Sequence, residues 1–295
     1  MTEARDNMKV AIASGKGGTG KTTIATNLAL LISRAGKKVQ YVDCDVEEPN
    51  GHIFLKPAIE KTQAVTVAVP EVELDKCTGC GKCGQLCQYS AIVAFKKNVL
   101  TFEQLCHSCG GCMLVCPTNA IKEKQKEIGS IDHGSADGVG FVQGRLQIGD
   151  VRSPALIRQV RQRTAAEGTV IIDVPPGTSC PVIEAVKGVD FVLLVTEPTP
   201  FGLNDLKLAV GMVRELKLPF AVVVNQSDLG DKRVRQYCDG ENIQIILEIP
   251  NDRRIAEAYS VGKMIVDVLP EYEKDFAGLY ESVSRRLKGK KNEKR

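Results

Sequence analysis

Short apolar runs alternating with helical repeats organise most of the chain. MKVAIAS (8–14) opens as a strand, a glycine-rich turn follows, and TTIATNLALLISRAG carries apolar residues at helical spacing up to Gly36. KKVQYVD predicts a second strand ending at Asp43. TVIIDV (169–174), DFVLLVT (190–196), FAVVVN (220–225) and IQIILEI (243–249) are further strands with helical patterns between them. This alternation predicts an α/β fold whose mostly parallel sheet is flanked by helices on both faces. SPALIRQVRQR is expected to start a helix, with Ser153 as N-cap and Pro154 in first position. In the C-terminal stretch Phe276, Leu279, Tyr280, Val283 and Leu287 share one helical face, expected to dock on the body and not on a membrane.

Residues 72–127 break this pattern, holding eight of the eleven cysteines and no long apolar run. CTGCGKCGQLCQYSAI (77–92) repeats as CHSCGGCMLVCPTNAI (106–121) at a constant offset of 29, with every cysteine matching. The expected organisation is therefore a domain in two parts, 1–67 and 128–295, interrupted by an insert at 68–127. The exit IGSIDHGSADGVG (128–140) reads as a loop or linker.

Composition and charge then narrow the function classes. With 43% hydrophobic and 25% charged residues the 295-residue chain is ordinary for a globular protein, and no run of about 18 apolar residues predicts a membrane span. The opening MTEARDNMKV lacks the apolar core of a secretory signal, so a cytoplasmic location is expected. Net charge is +3, and seven basic residues from Arg285 onward supply more than that excess, which gives no electrostatic case for nucleic acid. In a reducing compartment the cysteine spacing must serve something other than disulfides.

Two motifs supply the chemistry. Gly15, Lys16, Gly17, Gly18, Thr19, Gly20, Lys21 and Thr22 satisfy G-x-x-x-x-G-K-[ST] between a strand and a helix, with Thr23 next. Backbone N–H groups of such a loop cradle phosphate, Lys21 neutralises the β and γ phosphates, and the Thr22 hydroxyl ligates Mg2+. The spacing C77-x2-C80-x2-C83-x3-C87 and C106-x2-C109-x2-C112-x3-C116-Pro117 is that of a bacterial two-cluster ferredoxin. The fourth cysteine of each run crosses over, so Cys77, Cys80, Cys83 and Cys116 are expected to hold one [4Fe–4S] cluster and Cys106, Cys109, Cys112 and Cys87 the other. Zinc, the competing reading, saturates at four ligands and seldom uses this spacing twice. Gln88 stands where the first repeat would have proline.

Lys16, directly after the first glycine, makes K-G-G-x-G-K-T, which resembles the deviant phosphate loop of MinD/ParA-type ATPases, a group that includes the nitrogenase iron protein and the cytosolic cluster carriers. The resemblance implies a P-loop NTPase interrupted by a small α+β ferredoxin domain, closing as a homodimer on ATP, with Lys16 reaching the partner's phosphates. YVDCDVEEPNG resembles the first switch, which implies that Asp43 holds Mg2+ through water and Asp45 orients the attacking water. IIDVPPGTSC resembles the second, with Asp173 in the Mg2+ shell and Gly177 sensing the γ-phosphate. Asn225 and the segment with Pro250 and Asp252 resemble the base site; N-Q-S-D also resembles a guanine reader, but the other motifs favour ATP. The function implied is an ATPase, slow without its partner, that couples a dimer switch to electron transfer through two clusters. Alternatives are an ATP-dependent metallocluster assembly or maturation factor and a redox-sensing regulatory ATPase. Cys44 and Cys238 read as packing. Cys180, close after the second switch, resembles in position a cluster-bridging cysteine of the nitrogenase iron protein, but that protein's other cluster cysteine has no counterpart here, so packing is the favoured reading and a ligand role the alternative. His52, His107 and His133 form no motif.

Overall fold

The computed structural model describes residues 7–96 and 98–293. In chain order the elements are β1 (Met8–Ala13), α1 (Lys21–Arg34), β2 (Val39–Asp43), α2 (Gly51–Leu55) and β3 (Ala58–Val72). The cysteine-rich segment contributes α3 (Lys82–Leu86), β4 (Ile92–Phe95), β5 (Asn98–Thr101) and α4 (Gly111–Leu114). Then follow β6 (Ile121–Ala136), β7 (Val139–Leu146), α5 (Ser153–Arg161), β8 (Thr169–Asp173), α6 (Cys180–Val186) and β9 (Phe191–Thr196). The chain closes with α7 (Pro200–Glu215), β10 (Phe220–Asn225), α8 (Arg233–Gly240), β11 (Ile245–Ile249), α9 (Arg253–Ser260), α10 (Ile265–Val268) and α11 (Glu273–Glu293).

Among the described residues nine strands form one sheet in the order β11-β10-β9-β1-β8-β2-β7-β6-β3. It is parallel from β11 through β7, as the alternating pattern predicts, and antiparallel only at β6 and β3. Successive strand residues feed opposite cores. Val10 and Ile12 join α1 and α11 on one face, while Ala11 and Ala13 face α5, α6 and α7 on the other. Phe276, Leu279, Tyr280 and Val283 of α11 are buried on the first face with Leu287 packed beside them, so the C-terminal helix docks on the body as its pattern predicts. The final Lys294 and Arg295 of its basic tail lie outside the described residues. No helix among the described residues is long and apolar enough to cross a membrane.

Two local expectations are corrected. Residues 128–140 are not a linker: they are the end of β6, a turn and the start of β7, paired from Ala136↔Val139 to Gly129↔Leu146. Their glycine content reflects tight approach between paired strands, because a Cβ on Gly134 would meet the Ala58 carbonyl oxygen at 2.2 Å. Ser153 is the first residue of α5 and not its cap; Arg152 occupies that position, its backbone N–H held by Asp150 Oδ1 at 3.0 Å.

The register places the insert. β7 pairs with β6 only over Gly129–Ala136, so residues 121–128 and their β3 partners continue as a two-strand stalk past Leu146, roughly 25 Å long at strand rise. Leu146 lies beyond Gln143, the register partner of Asp43, so the stalk leaves the carboxyl edge of the sheet. Residues 73–120 therefore stand on the same edge as the phosphate loop. β3 and β6 run without a break through positions 67–68 and 127–128.

Candidate nucleotide site and cysteine cavities

The loop from Gly15 to Gly20 joins β1 to α1 at the middle of the sheet's carboxyl edge, where open α/β sheets bind ligands. It borders a cavity of about 400 Å³ walled by Gly17, Gly18, Gly20, Lys21, Thr22 and Thr23. Asp45, Asn225, Pro250 and Asp252 line the same space, so with the loop residues four separate segments converge there. Glu48 and Asn50 of the first switch segment, Pro176 of the second, Gln226 and Asn251 of the base segments, and Ile255 and Tyr259 of α9 line it as well. Asn225 Nδ2 donates to the Thr19 carbonyl at 3.0 Å, tying the end of β10 to the loop.

Three expected loop residues sit outside that wall. Gly15 packs against the Asp205 backbone, with no room for a Cβ. Thr19 is buried and its hydroxyl has no partner among the described residues. Lys16 Nζ lies 2.9 Å from Glu197 Oε2, an ion pair within its own chain whose acid is largely buried.

Beneath the cavity, Asp43 and Asp173 end adjacent parallel strands as register partners and are fully shielded from solvent. Asp43 Oδ1 accepts the Asp45 N–H and Oδ2 the Gly51 N–H, both at 3.1 Å. The Tyr41 hydroxyl reaches Asp173 Oδ2 at 2.9 Å, whereas Asp173 Oδ1 is buried without a partner. Burial, then mutual repulsion, pushes the Asp43 carboxyl well up. Burial also raises Asp173, opposed by the Thr22 hydroxyl, Lys21 and Tyr41. Asp45 is pushed up to about 7, first by burial and then by the Asp173 charge. Burial lowers Lys21 against the attraction of Asp173, Asp45 and Asp43. A compact acid cluster with one lysine and an orphaned carboxylate oxygen beside Thr22 fits a divalent cation, which would satisfy that oxygen and relieve the repulsion.

Asp252 is an N-cap: its carboxylate takes the Arg254 N–H at 2.9 Å, the Arg254 guanidinium at 2.6 Å and the Tyr272 hydroxyl at 3.1 Å. Those donors, Arg254 foremost, hold its pKa low, at about 2. Asp228, the acid a guanine reader would use, accepts the Asn251 N–H.

In the insert the crossed pairing appears as two separate cavities. One is lined by Cys77, Cys80, Cys83 and Cys116, the other by Cys87, Cys106, Cys109 and Cys112. No three His, Cys, Asp or Glu side chains among the described residues close to the spacing of a single ion; in the insert, each set of four cysteines surrounds a void. Burial would raise the Cys116 thiol, but the N–H groups of Thr118 and Ala120 outweigh it, with Ala120 N at 3.2 Å from the sulfur. Burial acts likewise on Cys87, and the Tyr89, Ala91 and Ile92 N–H groups outweigh it in the same way. All-thiolate sets of four with backbone donors aimed at sulfur fit iron–sulfur clusters. His107, which forms no motif, stacks on Tyr89 with ring centroids 3.7 Å apart. Cys44 and Cys238 are buried core, whereas Cys180 is exposed at the start of α6.

Tyr41 and Glu197 are the functional neighbours that sequence reasoning passed over. Tyr41 left a faint signal, a polar-tipped ring two residues before Asp43 and so on the same strand face.

Comparison with known proteins agrees with this geometry. The family model described as the CobQ/CobB/MinD/ParA nucleotide binding domain matches residues 10–265. A protein of Methanocaldococcus jannaschii with no assigned function is 30% identical over 259 residues, spanning 87% of this chain and 90% of that one. The iron-sulfur cluster carrier protein of Pyrococcus abyssi is 25% identical over 279 residues, 90% and 81% of the two chains. Among solved structures, the septum site-determining protein MinD of Pyrococcus horikoshii, complexed with Mg-ADP, superposes with a TM-score of 0.58 at 22% identity over 94% of this chain and 95% of that one.

Proposed function

We propose, given that the chain belongs to the CobQ/CobB/MinD/ParA nucleotide-binding family, that it hydrolyses ATP with Mg2+ and couples an ATP-dependent dimer switch to electron transfer to a partner protein through two [4Fe–4S] clusters. The observation that carries this reading is the pair of four-cysteine cavities standing on the same sheet edge as a phosphate loop. The clusters, when bound, supply one-electron chemistry.

The chain's own residues divide the remaining work. Loop N–H groups and Lys21 bind the phosphates, and Thr22, Asp43 and Asp173 hold Mg2+. Asp45 orients the attacking water from the cavity wall. Lys16 leaves Glu197 to reach the phosphates of a second copy, so the dimer closes only when a cross-subunit contact replaces an internal ion pair. Asn225 and Pro250 border the base, and the engagement of Asp252 and Asp228 elsewhere favours ATP over GTP. The insert, 73–120, presents the clusters, and eleven unpaired cysteines suit a reducing cytoplasm.

A second reading is favoured by the relatives named iron-sulfur cluster carrier proteins: the chain delivers a metallocluster to a client. Anaerobic purification followed by iron and sulfide analysis, ATP and GTP turnover, and incubation with an apo-protein acceptor separates the two. About eight Fe and eight sulfide that stay bound and reduce reversibly support electron transfer. ATP-dependent loss of iron to the acceptor supports delivery, and zinc without acid-labile sulfide removes both.

A further inference from the structure

Tyr41 is buried in the core between β7 and β8, with its ring stacked on Phe141 at a centroid distance of 5.7 Å. Its hydroxyl lies 2.9 Å from Asp173 Oδ2 and 3.4 Å from Asp43 Oδ2, so it touches the carboxylates of both switch strands. The surroundings are shaped to keep it there. A Cβ on Gly51 would meet the Tyr41 hydroxyl at 2.3 Å, so only glycine fits, and that same Gly51 donates its N–H to Asp43 Oδ2. Packing alone does not ask for the oxygen: phenylalanine would fill the same space, and a hydroxyl in an apolar core costs free energy unless it is paired.

We propose that Tyr41 is a positioning residue for the divalent cation. The hydroxyl occupies the inner oxygen of Asp173 and so fixes which oxygen of that carboxylate remains free. The free one, Oδ1, is the buried unpartnered atom of a carboxylate that Thr22 also faces. By touching Asp43 as well, the hydroxyl sets the relative orientation of two acids that belong to different switches. Without it Asp173 Oδ2 loses its donor, the carboxylate can turn about its last torsion, and the cation meets a site that must first be ordered. The inference rests on the Mg2+ reading under Proposed function.

The test uses the full chain, anaerobically purified, with Mn2+ as the probe and a non-hydrolysable ATP analogue present. Tyr41→Phe should weaken Mn2+ binding, read from the free-ion EPR signal, about tenfold, the worth of one hydrogen bond to a charged group. Binding of the analogue in EDTA and the melting temperature should stay near wild type. Analogue binding in EDTA, which needs the folded phosphate loop but no cation, guards against a Tyr41→Phe chain that does not fold. Asp173→Asn supplies the control. If Asp173→Asn weakens Mn2+ and Tyr41→Phe does not, Tyr41 has no positioning role. If Asp173→Asn also leaves Mn2+ binding unchanged, the cation reading itself is wrong.

Discussion

The nucleotide site and the cysteine insert prepare for their ligands in opposite ways. Around the phosphate loop the charged groups are already in place, fixed by the ends of β2 and β8 and the start of α1: Asp43, Asp173 and Lys21 are each less than a tenth exposed. The insert has almost no core of its own. Its two apolar clusters are small and contain the cysteines themselves, among them Cys83 and Cys106, while Phe95, Leu100 and Leu114 are 72%, 62% and 87% exposed. A segment of this size seldom holds itself together by burial alone. The sheet is therefore expected to fold without its ligand and the insert around the proposed clusters, so the two should respond differently when ligands are removed.

The largest effect expected from this contrast follows cluster removal. Chelating the iron under anaerobic conditions should abolish amide-exchange protection across 73–120 and leave that of β1, β8 and β9 unchanged; full retention of protection in the insert would break the comparison. Double variants then test the crossing. Cys77→Ser with Cys116→Ser strikes one set and should leave about four Fe, whereas Cys77→Ser with Cys87→Ser strikes both and should leave almost none. Equal iron in the two double variants would show that the sets do not cross.

Lys21→Ala is the corresponding break at the other site. Loss of a charge-assisted contact to phosphate should weaken ATP binding by about tenfold to a hundredfold. Iron content should be unchanged, since no described residue of the insert lines the loop cavity. Iron lost together with nucleotide affinity would mean that the two regions share their stability.

A smaller effect comes from pH. The folded chain holds Asp45 at about 7, against the ordinary carboxylate value of 3.8, because burial and then the Asp173 charge disfavour ionisation. The native state thus binds more protons than the unfolded one above pH 4, so this contribution to stability is present at low pH and is lost as pH rises through about 7. Without nucleotide the melting temperature should fall between about pH 4 and about pH 7.5, with an effect on the order of 2 kcal/mol after screening. Mg2+ and ATP should flatten the slope, and Asp45→Asn should do so without them. A melting temperature that rises over that window in the absence of nucleotide would show the acid cluster to be already compensated.

How much of this was legible in the sequence follows the range of the interactions. The phosphate loop, Asp43, Asp173 and the crossed cysteines were readable because a turn, a strand end or a repeat offset fixes each of them locally. The antiparallel edge was not: KEKQKE alternates charge along β6 with little apolar signal, and its pairing with β3 spans a distant stretch of chain. The Lys16–Glu197 pair joins residues 181 positions apart, and the Tyr41–Asp173 contact 132, so neither leaves a local pattern. Asp252 was assigned to the base by its segment, while its carboxylate answers to Arg254 and Tyr272 in the fold.

The smallest predicted effect compares the insert's two halves with each other. The offset of 29 aligns Thr78 with His107 and Tyr89 with Thr118. Because the fourth cysteines cross, the first cavity collects Thr78 and Thr118, and the second collects His107 and Tyr89. The Thr118 hydroxyl lies 3.8 Å from Cys116 Sγ, and as a donor it favours the extra negative charge of a reduced cluster. The stacked Tyr89–His107 rings give the second cavity aromatic surface in place of hydroxyl donors, which disfavours that charge. The set with Cys77 should therefore be reduced first. Thr118→Val should lower its midpoint by up to about 59 mV, a tenfold change for one electron, and Tyr89→Thr with His107→Thr should raise the other by a similar amount. EPR-monitored titration reads both shifts. Their convergence in the combined variant would show that four side chains at duplicated positions, and not the cysteines, make the two halves unequal; shifts of the opposite sign would place the more hydrated cluster in the second cavity.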